Sequence, residues 1–298
     1  MSGSETTVLS GEAGATGAPD ATNSTNETGV TGVTSTESRP ALEVEGLVQE
    51  FARPGVGRRS KAEKLRVLDG LSLTVREGEF AAVIGPSGSG KSTLLNILAG
   101  LDKPVEGTVS VGGSGTVAYM PQKDLLFPWR TVEDNAILGL EVAGTPKKQA
   151  REQVAPLFDE FGLSGFEHSY PAQLSGGMRQ RAALLRTVAM NRPVLLLDEP
   201  FGALDSLTRT QLHLWLAETR QRHGWTIVLV THDIREAVFL ADSVHVLSPR
   251  PARVTRRFEI DLPRPRTADT FGLPEFAQLE RELLEALGVH AGPRAAAD

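Results

Sequence analysis

"EFAAVIGPSGSGKSTLLNILAGL", residues 79–101, sets a strand, a turn and a helix in immediate succession. The apolar run 79–84 is of strand length, and the leucine-rich stretch from Thr93 reads as a helix. Between them, "GPSGSGKST" at 85–93 fits G-x-x-x-x-G-K-[ST] in the strand-to-helix setting that gives this pattern its meaning. Gly85, Gly88 and Gly90 let the backbone curl so that successive N–H groups and a helix N-terminus face a chain of phosphates. The whole loop, Gly85, Pro86, Ser87, Gly88, Ser89, Gly90, Lys91, Ser92 and Thr93, is therefore a candidate phosphate cradle. Lys91 is placed to neutralise β- and γ-phosphates, and the Ser92 hydroxyl to reach Mg²⁺.

Working outward, further strands carry related chemistry. "PVLLLDEP" at 193–200 is a buried strand ending in two adjacent carboxylates, a poor place for charge unless a cation or a reacting water waits there. Asp198 suits the surroundings of Mg²⁺, and Glu199 suits polarising an attacking water. "TIVLVTHD" at 226–233 repeats the arrangement, with His232 at the C-terminal end of its strand, where open α/β sheets bind ligands. Such a histidine is placed to contact the γ-phosphate.

Uninterrupted apolar strands alternating with helices predict a parallel sheet covered on both faces. Before it, "LEVEGLVQEF" and "VLDGLSLTV" alternate as half-exposed antiparallel strands do, joined by the basic loop "RPGVGRRSKAEK". A mostly helical segment from about 131 to 190 divides the α/β core. After the strands "SVHVLS" and "RVTRRFEI", the helix "PEFAQLERELLEALG" places Leu279, Leu283, Leu284 and Leu287 on one stripe, fit to dock on the body or on a second subunit.

"LSGGMRQR" at 174–181 opens a helix on two glycines, with Met178 its only apolar residue before Ala182. Ser175 suits the cap of that helix, while Gly176 and Gly177 let N–H groups approach an anion closely. With the cradle, the paired carboxylates and His232, this turn resembles the signature motif of the ATP-binding cassette (ABC) ATPases, about 20 residues before the carboxylate strand as that family requires. The resemblance covers roughly residues 42–260. It implies a P-loop NTPase core, α/β with a mixed sheet and an antiparallel β subdomain, into which a helical subdomain is inserted. It also implies that Ser175, Gly176 and Gly177 grip the ATP of a second copy, two ATP molecules being sandwiched in a homodimer. Gln122 in "YMPQKDLLFPW" resembles the glutamine that touches Mg²⁺ and links core to helical subdomain. Asp205 in "GALD" resembles the family's interface aspartate, and Phe51 the aromatic that stacks on adenine. The expected division is a tail over 1–40, an ATPase domain over 41–262 and a C-terminal extension over 263–298.

Composition sets the outer limits. At 298 residues and 40% hydrophobic content a substantial core is possible. The absence of cysteine excludes disulfides, thiolate metal sites and a cysteine nucleophile, and a net charge of −6 gives no general attraction for nucleic acid. Residues 1–40, rich in Gly, Ser and Thr and without an aromatic, are expected to be disordered. No apolar run approaches the roughly 18 residues needed to cross a bilayer, so a membrane role requires a partner.

The stretches "LLFPWRTVEDNAILGLE", "PFGALDSLTR", "THDIREAVFLADSVHVLS" and "DLPRPR" are similar to the importer branch for nitrate, sulfonates and taurine, which includes carriers of thiamine-precursor pyrimidines. Membership implies a peripheral subunit on the cytoplasmic face of the membrane, an integral-membrane permease as partner and, indirectly, an extracytoplasmic solute-binding protein. The alternative class is a non-transport ATPase that regulates another complex. Leu125, Leu126, Phe127 and Trp129 are candidates to line a groove for the permease, with burial inside the helical subdomain as the competing reading.

Overall fold

The computed structural model describes residues 40–53, 63–113 and 115–289. The expectations for the tail, for most of the basic loop and for the last residues of the chain lie outside them. In chain order the elements are β1 (Pro40–Arg53), β2 (Glu63–Arg76), β3 (Phe80–Ile84), α1 (Lys91–Leu98), β4 (Glu106–Val111) and β5 (Val117–Met120). Four helices follow: α2 (Val132–Ala136), α3 (Leu138–Val142), α4 (Lys147–Glu160) and α5 (Gly176–Val188). Then come β6 (Val194–Asp198), α6 (Ser206–His223), β7 (Thr226–Thr231), α7 (Ile234–Leu240), β8 (Ser243–Leu247), β9 (Val254–Glu259) and α8 (Pro274–Ala286).

Two sheets form. β1 lies between β2 and β4, antiparallel to both, in a three-stranded sheet. The second sheet has six strands in the order β5-β6-β7-β3-β8-β9, parallel throughout except for the antiparallel β8–β9 pair. Every residue of β3, β6, β7 and β8 is buried, as expected of strands that pack on both faces. The pleat divides their side chains. Phe80, Ala82 and Ile84 of β3 join Leu195, Leu197, Ile227 and Leu229 in a core shared with α5, α6, α7 and α8. Ala81 and Val83 join Leu196, Val228 and Val230 in a second core with α1, β1 and β2. At about 25 cal/mol per Å² of apolar surface removed from water, these two layers supply the main force holding the sheet in register. A one-residue slip would exchange the faces of every strand.

The helix starts are set by local side chains. Thr131 caps α2 by accepting from the Asp134 N–H at 3.2 Å, and Asp233 caps α7 by accepting from Arg235 and Glu236 at 2.9 and 3.2 Å. Gly224, in the left-handed region at φ 65°, closes α6. The leucine stripe of α8 packs on its own chain: Leu283 is buried, Leu279 and Leu287 pack against the first core, and Leu284 is half-buried in a shallow groove beside Ile234. Phe276, absent from that stripe, is fully buried and meets Phe271 edge-on at 5.4 Å.

Candidate nucleotide site

In the parallel sheet β3 lies beside β7 and β8, and β7 beside β6, so the chain leaves four neighbouring strands at one edge. The loop 85–90 follows β3, Glu199 follows β6, His232 follows β7 and Arg250 follows β8. A cleft of about 540 Å³ opens there, lined by Ser87, Gly88, Gly90, Lys91, Ser92, Thr93, Glu199, His232 and Arg250. Sheet order alone has brought together residues as much as 163 positions apart in the chain, the separation of Ser87 and Arg250.

The glycines of the loop are required by contact and by conformation. Gly90, immediately before α1, has φ 111°, and a Cβ there would stand 2.8 Å from Cγ1 of Val67. Gly85 sits so close to β8 that a Cβ would lie 2.9 Å from Cβ of Leu247 and 3.1 Å from Oγ of Ser89. Neither neighbour is the free end of a flexible chain. Gly85→Ala is therefore expected to push the loop off β8 and to weaken ATP affinity by roughly tenfold or more, about 1.4 kcal/mol, in a titration with a fluorescent ATP analogue.

Lys91 is buried, and its ammonium donates to the carbonyls of Gly85 at 2.9 Å and Pro86 at 3.1 Å. Burial lowers its pKa, while the charges of Glu199 and Asp198 act in the opposite direction. Ser89 of the loop is buried, and among the described residues its hydroxyl has no hydrogen-bond partner. Asp198 is buried below the cleft, within 3.4 Å of the Tyr119 hydroxyl and hydrogen-bonded by Ser92. Burial, and then the neighbouring Glu199, raise its pKa; Tyr119, Ser92 and Lys91 oppose them. The same environment pushes the Tyr119 phenol up to about 12, chiefly through burial.

Glu199 adopts φ 44°, a left-handed conformation uncommon for a residue with a side chain. Its N–H donates to the Val230 carbonyl at 2.8 Å, which fixes the strained residue against β7. Strain of this kind costs about 1–3 kcal/mol and persists where surrounding structure enforces it. Here it turns the carboxylate back over the cleft. Gln122 donates from Nε2 to Glu199 Oε2 at 3.1 Å, and His232 Nδ1 stands 3.2 Å from the same oxygen. The His232 side chain is 64% exposed, free to meet a ligand in the cleft.

The remaining sequence-derived residues do not line the cleft. Ser175 caps α5, accepting from the Met178 N–H at 3.2 Å, and a Cβ on Gly177 would meet Thr208 Cγ2 at 2.7 Å. Gly176 has only ordinary contacts around it. Asp205 caps α6, accepting from the Thr208 N–H at 3.0 Å, and hydrogen bonds to that residue lower its pKa. Phe51 lies on β1 opposite Leu65, 40% exposed. None of these five lines the cleft.

Two residues of the site carry no motif. Tyr119 is read from the sequence only as part of a strand. Arg250, in "SPRP" after β8, donates from Nε and Nη2 to the Gly88 carbonyl at 3.1 and 2.7 Å. Its one available signal is its position beyond the carboxyl end of a parallel strand.

With this geometry established, comparison with known proteins gives the family. A model described as "ABC transporter" matches residues 68–202. The chain is 45% identical over 262 residues to an aliphatic sulfonates import ATP-binding protein, SsuB 1, of Streptomyces avermitilis, covering 88% of this chain and 92% of the relative. It belongs to the ABC transporter family. The nitrate import ATP-binding protein NrtD of Synechocystis sp. is 38% identical over 252 residues, covering 80% of this chain and 94% of the relative. The formylaminopyrimidine import ATP-binding protein ThiZ of Halalkalibacterium halodurans is 48% identical over 185 residues, 62% of this chain and 74% of the relative. Among solved structures, the dimeric bacterial ABC transporter cassette MJ0796 superposes with a TM-score of 0.63 at 30% identity, covering 74% of this chain and all of that one. The chain is thus an ABC ATPase built on the P-loop fold.

Proposed function

We propose that this chain is the ATP-hydrolysing subunit of an importer for a small solute, of the sulfonate, nitrate or taurine type or a thiamine-precursor pyrimidine. The observation that carries the reading is the meeting of Lys91, Ser92, Asp198, Glu199 and His232 at one edge of a parallel sheet, in a chain whose close relatives are named as import ATP-binding proteins. Lys91 and the N–H groups of residues 87–92 hold the β- and γ-phosphates. Glu199 orients water and accepts its proton, and His232 holds the γ-phosphate against it. Phe51 stacks on adenine.

The donors fit Mg²⁺ bound mainly through the nucleotide. Among the described residues no group of three or more His, Asp or Glu gathers to cage a metal, whereas Ser92 and Asp198 already touch and Gln122 stands beside Glu199. When bound, Mg²⁺ would neutralise charge on the phosphates; Ser92, Asp198 and Gln122 are the residues that would hold it.

Ser175, Gly176, Gly177 and Asp205 act in trans, closing on the nucleotide held by a second copy. MJ0796, one of the solved structures this chain resembles, is described as dimeric. Coupling to transport runs through a separate permease at the cytoplasmic face, a reading supported by the relatives named as import ATP-binding proteins; among the described residues no helix is long and apolar enough to cross a membrane. A solute-binding protein outside the membrane delivers the solute.

The permease-facing candidates divide. Leu126 is buried in the core, and the groove reading is withdrawn for it. Leu125 is 56% exposed and Trp129 71%, with Phe127 half-buried and stacked on Trp129 at 5.0 Å. Helix α3 lies close by in sequence with no buried residue and with Val142 exposed. Replacing Trp129 with Ala is expected to leave ATP affinity unchanged and to reduce co-purification with the permease by about tenfold or more, in line with an exposed aromatic anchor. Undiminished co-purification would remove this patch from the docking surface.

A further inference from the structure

Behind His232 lies a buried polar group that the chemistry above does not use. Glu236, in the first turn of α7, is buried; one carboxyl oxygen accepts from the Thr231 hydroxyl at 3.0 Å, and the other has no partner among the described residues. The Thr231 oxygen in turn accepts from the Asp233 N–H at 3.0 Å. These two bonds meet on one hydroxyl, and the residue they bracket is His232. On the far side, His213 of α6 places Nε2 4.0 Å from the carboxyl and packs edge-on against Phe201. Arg209 reaches from α6 to Asp233 at 3.4 Å while donating to the Leu204 carbonyl at 2.9 Å.

Burial pushes Glu236 up to about 8 and His213 down to about 4, favouring the neutral form of each. A buried carboxyl with one unpartnered oxygen is a worse filler than an apolar side chain of the same size. Its presence at the root of the His232 turn therefore points to positioning. We propose that Glu236, acting through the Thr231 hydroxyl, is the positioning residue that fixes the 231–233 turn and so the reach of the His232 imidazole to Glu199 and the γ-phosphate. This rests on the roles given above to Glu199 and His232. Thr231 ends β7, and its hydroxyl ties the first N–H beyond His232 to a fixed point in the core. Without that tie the imidazole keeps its chemistry but loses its place.

The test is steady-state ATP hydrolysis and ATP titration on the purified full chain. Thr231→Val keeps the volume and strand preference of the residue and removes only the hydroxyl; Glu236→Gln keeps an acceptor, and Glu236→Leu removes it. Thr231→Val is expected to lower kcat by about tenfold, as loss of a well-placed catalytic contact does, with ATP affinity within about twofold. Glu236→Leu should do the same, and Glu236→Gln should restore most of the loss. In a His232→Ala background Thr231→Val should change kcat by less than about twofold, because residues acting through one group are not additive. The valine variant carries the test if the leucine variant does not fold. Wild-type kcat in Thr231→Val overturns the proposal, as does a tenfold loss repeated in the His232→Ala background. Wild-type activity in His232→Ala alone would instead remove the role of His232, and the proposal with it by that separate route.

Discussion

Replacing Glu199 with Gln is expected to slow ATP hydrolysis by roughly two to four orders of magnitude while ATP still binds. The amide keeps the length of the side chain and its contacts to Gln122 and His232, which meet the carboxylate at 3.1 and 3.2 Å. It cannot accept a proton from water. The left-handed backbone at residue 199 is held by the bond to Val230 and is unaffected by the change. With hydrolysis blocked and ATP and Mg²⁺ present, the variant should accumulate as a closed dimer, read by size-exclusion chromatography. On the trans role proposed for the α5 turn, adding Ser175→Arg should abolish that dimer, because a bulky cation would then stand where α5 meets the partner's phosphates. Each monomer should still bind ATP through its own loop. If the double variant still dimerises with ATP, the signature turn does not grip nucleotide in trans.

Lys91→Ala is expected to weaken ATP binding by roughly a hundredfold, since charge-assisted hydrogen bonds to phosphate are worth about 1.5–3 kcal/mol each and tenfold in affinity is about 1.4 kcal/mol. Lys91 is the cleft residue whose ammonium sits inside the loop, held by the Gly85 and Pro86 carbonyls. Unpaired by phosphate, that charge is disfavoured by burial, so Lys91→Ala should leave the melting temperature of the nucleotide-free protein within a few degrees. Titration with a fluorescent ATP analogue reads the first effect and thermal unfolding the second. Unchanged affinity would remove the phosphate-cradle assignment.

The parts of this site that sequence reasoning reached share a property. Gly85, Gly90, Lys91 and Ser92 act through local chain geometry, and Asp198, Glu199 and His232 end apolar strands, so each announces itself within a few residues. Ser175 is legible for the same reason: a cap needs only the helix that follows it. For 125–129 both groove and burial stayed open, because which side chain is buried is set by what packs there and "LLF" gives no period from which to choose; Leu126 is buried and Leu125 and Trp129 are exposed. Arg250, Tyr119 and Glu236 were invisible for a different reason. Arg250 meets Gly88 across 162 positions and Tyr119 meets Asp198 across 79, contacts that exist only once the strand order is known. Glu236 reads as one more polar residue of an amphipathic helix until its burial is seen.

Helix α5 begins at the cap made by Ser175 and, near its other end, Arg186 donates to the carbonyls of Asp124 and Leu125 at 2.6 and 2.7 Å; Arg179 adds an ion pair to Asp124 at 3.4 Å. Leu125 is itself in the left-handed region at φ 44°, so the segment after Gln122 is bolted to the helix in a conformation it would not hold alone. Eleven residues at 1.5 Å each make an arm of roughly 16 Å from Ser175 to Arg186. A tilt of about 5° of such a rigid rod swings its far end by roughly 1.4 Å, half the length of a hydrogen bond. On the trans role proposed for Ser175, one end of that rod faces a second copy's nucleotide, while Arg179 and Arg186 fasten the strap between Gln122 and Trp129 along it. The helix would then work as a crank, carrying a small rotation imposed at the phosphate to the exposed aromatic pair on the protein's outer surface.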